Sequence, residues 1–277
     1  MTAASPYKDF INRLMLLIGK HPQLITTTLS NIFTMRLIGN KTHGDLAEIA
    51  IAEFVNQYMY DFNAEHVGKD RFRAKSQEED ILVTNEMSQI AIPISLKAYG
   101  NGPLQISTDK ERRMYPLLEK HGGRIGAGKT AKIMRHEAFS HVGRMNVLSL
   151  IYDETNKRCN IMVFDFSRAV DSVKHAEKEN PGKQRKHPAY KFYDENDDYI
   201  FEVRYGGAAA NALQRGLWTN TKNASAFFDS VTNGWVDYSH NPALVNLFSH
   251  ALVAGERGHK RALAEIRKDI ARLKKGG

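Results

Sequence analysis

The chain has 277 residues, 39 Lys and Arg against 31 Asp and Glu, a formal net charge of +8 and a single cysteine. That length can bury a sizeable core as one large domain, and one cysteine excludes an internal disulfide framework. With no apolar run long enough to cross a bilayer and no charged-then-apolar leader, an intracellular protein is expected, and the excess of cations favours a polyanionic partner bound through counterion release.

In chain order, residues 7–18 and 24–37 read as two amphipathic packing helices separated by His21-Pro22. A third helix, capped by Thr42 or Asp45, is expected to run to about Phe62. At about 100° per residue, Glu48 shares a side of this helix with Gly44, Ile51, Ala52 and Val55, whereas Glu53 points with Asn56 and Gln57 toward a polar side. Glu48 is therefore the inward acid. The polar stretch from Asn63 to Glu79 reads as a loop.

The next stretch, Asp80-Ile-Leu-Val-Thr-Asn-Glu86 followed by Ile92-Pro-Ile-Ser-Leu-Lys97-Ala-Tyr-Gly, predicts two neighbouring strands. Side chains alternate along a strand, so Ser95 and Lys97 project from one face and Ile94 and Leu96 from the other, into apolar packing. A carboxylate at Asp80 can hold a divalent cation through oxygen, and Lys97 can orient or deprotonate a water and offset the charge of a phosphate. A third strand, Leu104 to Thr108, follows the Gly100-Asn-Gly102 turn, with Gln105 facing either the site or solvent.

Asp80, the hairpin and the Ser95-Leu-Lys97 strand resemble the PD-(D/E)xK nuclease core, and the chain as a whole resembles a type II restriction endonuclease. The resemblance departs from the family pattern twice, with Glu79 in place of the proline and Ser95 in place of the second carboxylate. It implies a restriction-endonuclease-like α/β fold, a central mixed sheet flanked by helices, with added helices and hairpins. It also implies Mg²⁺-dependent hydrolysis of double-stranded DNA at a specific sequence, in a bacterial cytoplasm. A homodimer is implied too, since twofold symmetry matches palindromic sites. Asp80, Ser95, Lys97 and Glu48 are the catalytic candidates. Asp80 and Glu48 are the metal ligands, Glu48 replacing the acid lost at Ser95, with Glu86 the next acid to consider. On this reading one domain spans 1–277: about 42–145 is catalytic core, about 146–240 elaborates DNA recognition, and 241–277 forms C-terminal helices.

Downstream, Asp109 to Lys120 reads as a helix whose N-terminal dipole Asp109 complements, and residues 131–144 read as another. Between them, Gly123-Arg-Ile-Gly-Ala-Gly-Lys129-Thr130 matches the G-x(4)-G-K-[ST] phosphate-loop pattern, which opens an alternative reading as a nucleotide hydrolase. Its context opposes that reading, because no buried apolar strand precedes it. A basic turn touching a DNA phosphate through Arg124 and Lys129, or a plain helix-capping loop, fits better.

Two hairpins follow, 146–152 with 159–166 and 190–193 with 199–205, their turns at Asn156-Lys157 and Asn196-Asp197. Arg204, Asn211, Gln214 and Arg215 are side-chain types that read base edges in the major groove. The last three sit at helical spacing and could equally solvate one helix face. The loop Lys183-Gln-Arg185-Lys186-His187 suits a phosphate contact or a surface loop, and Cys159 suits a buried structural thiol. A non-catalytic DNA-binding protein on a degenerate nuclease scaffold is a further alternative, because Ser95 is neutral.

Overall fold

The computed structural model describes residues 5–38, 42–67, 79–100, 102–182, 186–211 and 214–246, together with positions 264, 267, 268 and 271. Three helices open the chain: α1 (Pro6–Lys20), α2 (Pro22–Ile38) and α3 (His43–Tyr58). Ser5 caps α1 by accepting from the Lys8 N–H, and the proline beside it stands where its missing N–H costs nothing. Thr42 and Asp45 cap α3 jointly, each side chain accepting from the other's backbone N–H, an arrangement worth about 1 kcal/mol. Both residues named as candidate caps therefore take part.

The helix ends earlier than expected. Asn63 to Glu79 was expected to be a loop, but Phe62–His66 forms strand β1, whose Phe62 and Ala64 are buried between exposed Asn63 and Glu65. That alternation is the strand signal, and polar outward positions obscure it in a purely compositional reading. Strand β2 (Ile81–Asn85) and strand β3 (Ile90–Gly100) make the expected hairpin, with Ile81 opposite Ile94.

The third expected strand forms as β4 (Pro103–Thr108), but it joins a different sheet. After it come a turn and the short helix α4 (Met114–Glu119), then β5 (Arg124–Gly126) and α5 (Ala127–Met134). Helix α4 is shorter than predicted because Asp109 caps it from a distance, its carboxylate accepting from the backbone N–H groups of Arg113 and Met114. The helix expected over 131–144 breaks into the end of α5 and two single 3₁₀ turns, Glu137–Phe139 and Val142–Arg144.

Strands β6 (Val147–Asp153) and β7 (Arg158–Phe164) form one predicted hairpin, and β9 (Ala189–Tyr193) and β10 (Tyr199–Arg204) the other. Lys157 and Asp197 in their turns have positive φ, as tight connections require. Helix α6 (Phe166–Ser172), strand β8 (His175–Glu179), β11 (Gly216–Asn220), β12 (Phe228–Ser230) and β13 (Val236–Asp237) complete the set. Residues 242–246 are helical, and most of the expected C-terminal helices lie outside the described residues, as do Lys183 to Arg185.

The result is an α/β architecture with two sheets. The first, mixed sheet runs β1-β2-β3-β6-β7-β12, with β13 also on β7, and only its β3–β6 pair is parallel. The second sheet, β4-β11-β10-β9-β8-β5, is antiparallel throughout. The division expected near residue 145 thus falls inside the first sheet, which gains β6 and β7 from one side of it and loses β4 from the other.

One face of the first sheet, with Ile81, Val83, Ile92, Ile94, Leu96, Leu148 and Leu150, packs under α1, α2 and α3. Each such side chain contributes about 1.5–3 kcal/mol on burial. The opposite face, with Val147 and Phe164, packs on the second sheet. Cys159 is buried in β7, where desolvation pushes its thiol pKa up. Among the described residues no helix is long and apolar enough to cross a membrane.

Candidate active site at the β2–β3 hairpin

Asp80 stands at the entrance to β2, where its backbone continues the ladder. Its N–H donates to Ile94 O at 3.0 Å and its carbonyl accepts from Val67 N at 3.1 Å. The carboxylate is therefore fixed over β3. Its Oδ2 accepts from the Leu96 N–H at 2.7 Å and from the Ser95 hydroxyl at 3.1 Å, and lies 3.8 Å from Lys97 Nζ. Ile94 and Leu96 are buried on the helix side of the sheet, so the alternation read from the sequence holds.

Ser95, only 4% exposed, takes the place of the expected second acid and acts as a hydrogen-bond donor to the first. It cannot be an anionic ligand. Its own N–H donates to Asn146 O, and the Asn146 amide donates to Pro93 O, so a residue outside the predicted motif clamps β3 at this point.

The third carboxylate arrives from α3. Glu48 Oε2 lies 3.0 Å from Nε2 of His66 at the end of β1, and its side chain is only 12% exposed. Burial pushes the Glu48 carboxyl above its ordinary value, the His66 hydrogen bond opposes this, and the charge of Asp80 adds to the upward push. Glu53 is exposed, as the helix phase predicted. Glu86 is exposed in the β2–β3 turn, about 20 Å along the strand from Asp80, and so does not belong to this group. His66 was not anticipated, because its strand was read as loop.

Among the described residues, no three His, Cys, Asp or Glu side chains converge to hold a metal ion. Asp80 and Glu48 are both oxygen donors close enough for their charges to interact, and the hydrogen bonds above leave Asp80 Oδ1 and Glu48 Oε1 uncommitted. Such a pair fits Mg²⁺, which keeps most of its shell as water and phosphate oxygens and takes one or two carboxylates from protein.

Beside Ser95 opens a cleft of about 490 Å³, walled by β3, the turn after β4 and the two 3₁₀ turns. Glu79, Lys110, Arg113, Glu137 and Arg144 line it. Arg113 is held by Glu111 at 2.6 Å and Glu137 at 2.9 Å. Arg144 donates through Nε to Ser140 O at 3.2 Å, and no carboxylate pairs with it among the described residues.

The candidate DNA readers do not converge on one surface. Gln105 is buried and donates to Arg215 O at 2.9 Å, so it serves the second sheet and does not face Asp80. Arg215 donates to Asp109 O at 2.8 Å and to Ala210 O at 2.6 Å, which makes it a brace inside the β10–β11 connection. Arg204 is engaged by Glu202 and stacks over Trp218 at 4.1 Å. Asn211 and Gln214 are exposed, and Gln214 Oε1 accepts from Asn211 N. Residues 216–218 belong to strand β11, not to a helix, and Gly206 and Gly207 take positive φ in the turn that precedes it. Arg124 and Lys129 lie at or beyond β5, the sheet's opposite edge, where Arg124 pairs with Glu177 at 3.3 Å and Lys129 is exposed on α5.

The phosphate-loop match likewise does not form a loop. Arg124–Gly126 is a strand and Ala127 begins α5, while the Thr130 hydroxyl donates back to Ala127 O and is fully buried. A hydroxyl so placed is unavailable to a nucleotide's cation. No family model, curated protein or solved structure matches the chain.

Proposed function

We propose that the protein is a metal-dependent endonuclease of the restriction-endonuclease-like kind, hydrolysing phosphodiester bonds in double-stranded DNA. The observation that carries this reading is the Asp80 carboxylate held 3.8 Å from Lys97 across adjacent strands, with Glu48 close enough for their charges to interact. The element order supports it too: α3 precedes β1, β2 and β3, helical segments follow, and β6 then pairs parallel to β3. The net charge of +8 suits a polyanion.

A divalent cation bound by Asp80 and Glu48 would polarise a phosphoryl oxygen and lower the pKa of water. The chain's own residues supply orientation and charge. Ser95 and the Leu96 N–H fix one oxygen of Asp80 and leave the other free. Lys97 lies beside that carboxylate, where its ammonium can hydrogen-bond an attacking water and offset the charge of a scissile phosphate. Sequence specificity and a twofold dimer that cuts both strands are part of the proposal.

Incubating the pure protein with phage DNA and Mg²⁺ tests it. Discrete fragments are expected without ATP, and Asp80→Asn or Lys97→Ala should lower the rate by roughly 10²–10⁴-fold while duplex binding persists. Full cleavage by either variant overturns the assignment. One observation favours a second reading: Ser95 donates to Asp80 where an acid would be needed, as in a scaffold that binds DNA without cutting it. Binding with no fragments in Mg²⁺ or Mn²⁺ selects that reading.

A further inference from the structure

His66 sits where three parts of the site meet. In the β1–β2 ladder it lies opposite Ile81, the residue after Asp80, and the next residue, Val67, donates its N–H to Asp80 O at 3.1 Å. The strand that carries the imidazole is thus tied to the backbone of the catalytic acid. From there Nε2 reaches Glu48 Oε2 at 3.0 Å, linking β1 to α3.

Glu48 needs such a partner. Its side chain is largely removed from water, so a carboxylate there is costly to bury without a hydrogen-bond partner to hold it. The bond to His66 occupies Oε2 and leaves Oε1 with no hydrogen bond among the described residues. An open carboxylate oxygen is what a hard cation requires.

We infer that His66 is a positioning residue: it holds Glu48 through Oε2 so that Oε1 is presented to a divalent cation shared with Asp80. The inference rests on the nuclease reading and extends it to a residue outside the Asp80–Lys97 motif. His66 itself touches neither the cation nor DNA. Partners that orient a metal ligand in this way typically contribute 10–100-fold to metal affinity.

Mn²⁺ binding to the full chain without DNA, followed by electron paramagnetic resonance or calorimetry, tests the inference independently of cleavage. His66→Leu is expected to weaken Mn²⁺ binding about tenfold or more, and His66→Gln, whose amide can still donate to Glu48, to lose less. In a Glu48→Gln background, His66→Leu should change Mn²⁺ affinity no further, because its effect runs through that carboxylate.

A merely structural role would weaken both backgrounds alike, and that outcome overturns the inference, as does unchanged affinity in His66→Leu. If His66→Leu fails to fold, His66→Gln against His66→Asn carries the comparison. Asn is too short to reach Glu48, so equal affinities overturn the inference and weaker binding by His66→Asn supports it. A parent that binds Mn²⁺ with this dependence and cuts no DNA sinks the nuclease reading alone. A parent that binds no Mn²⁺ without DNA overturns the inference and leaves the nuclease reading to the cleavage assay.

Discussion

Glu48 and Glu53 share one helix and differ only in what surrounds them, so the pair separates site chemistry from surface charge. Glu48→Gln is expected to lower the cleavage rate roughly 10²-fold or more, while Glu53→Gln, at an exposed position on the same helix, should match the parent. Rates on phage DNA across a Mg²⁺ titration check this, and the reverse ranking would place the wrong helix face at the site. The raised Glu48 carboxyl also fixes a sign for stability. An acid whose folded-state pKa exceeds its unfolded value stabilises the fold below the unfolded pKa, and that contribution is lost as pH rises through the folded one. Glu48→Gln removes this loss. The Tm of the variant relative to the parent should therefore rise as the pH climbs above the ordinary carboxyl value of about 4. A difference that stays flat or falls would show that the His66 bond, and not desolvation, governs Glu48.

The β10–β11 connection behaves as an element in its own right, braced by Arg215 against the turn after β4. Replacing Arg215 by Ala strips the donors from Asp109 O and Ala210 O, and should cost about 1–3 kcal/mol in urea unfolding. Duplex affinity should fall equally on all sequences. A change confined to one base pair of the site would restore Arg215 as a base reader. Its role was hidden in the sequence because the partner carbonyl at Asp109 lies 106 positions away. Short-range features were legible: the Thr42 cap, the Asn156-Lys157 and Asn196-Asp197 turns, and the alternation that buries Ile94 and Leu96 opposite Ser95 and Lys97. Long-range pairing was not. Strand β4 follows β3 directly, yet it pairs with β11, whose Leu217 lies opposite Ser107, and nothing local to Leu104–Thr108 encodes that partner. Gly216 hints at it only once the register is known: its φ is +120°, and a Cβ there would meet Ser107 O at 2.1 Å, so the two strands approach too closely for any other residue. The site divides in the same way, with Asp80 and Lys97 given by one hairpin, and His66 and Asn146 brought in by strands on either side.

At the scale of the molecule, the first sheet separates two apolar cores and belongs to both. On β6, Val147 packs toward the second sheet while its neighbour Leu148 packs under the N-terminal helices, so neither core can open without disturbing this strand. Tyr7 adds a tie, its hydroxyl donating from α1 to Val147 O at 3.1 Å. The cleft beside Ser95 has walls from both sheets, so its shape requires both cores intact. Cooperative unfolding is the expected consequence. The two tryptophans test it, because Trp218 lies on β11 in the second sheet and Trp235 precedes β13 on the first. With each removed in turn, the remaining fluorescence should report the same urea midpoint. Leu150→Ala, which empties a fully buried position in the helix-side core, should cost about 2–5 kcal/mol and lower both midpoints together. If only the Trp235 signal moved, the two sheets would be independent folding units, and the cleft between them could open while the second sheet stayed folded.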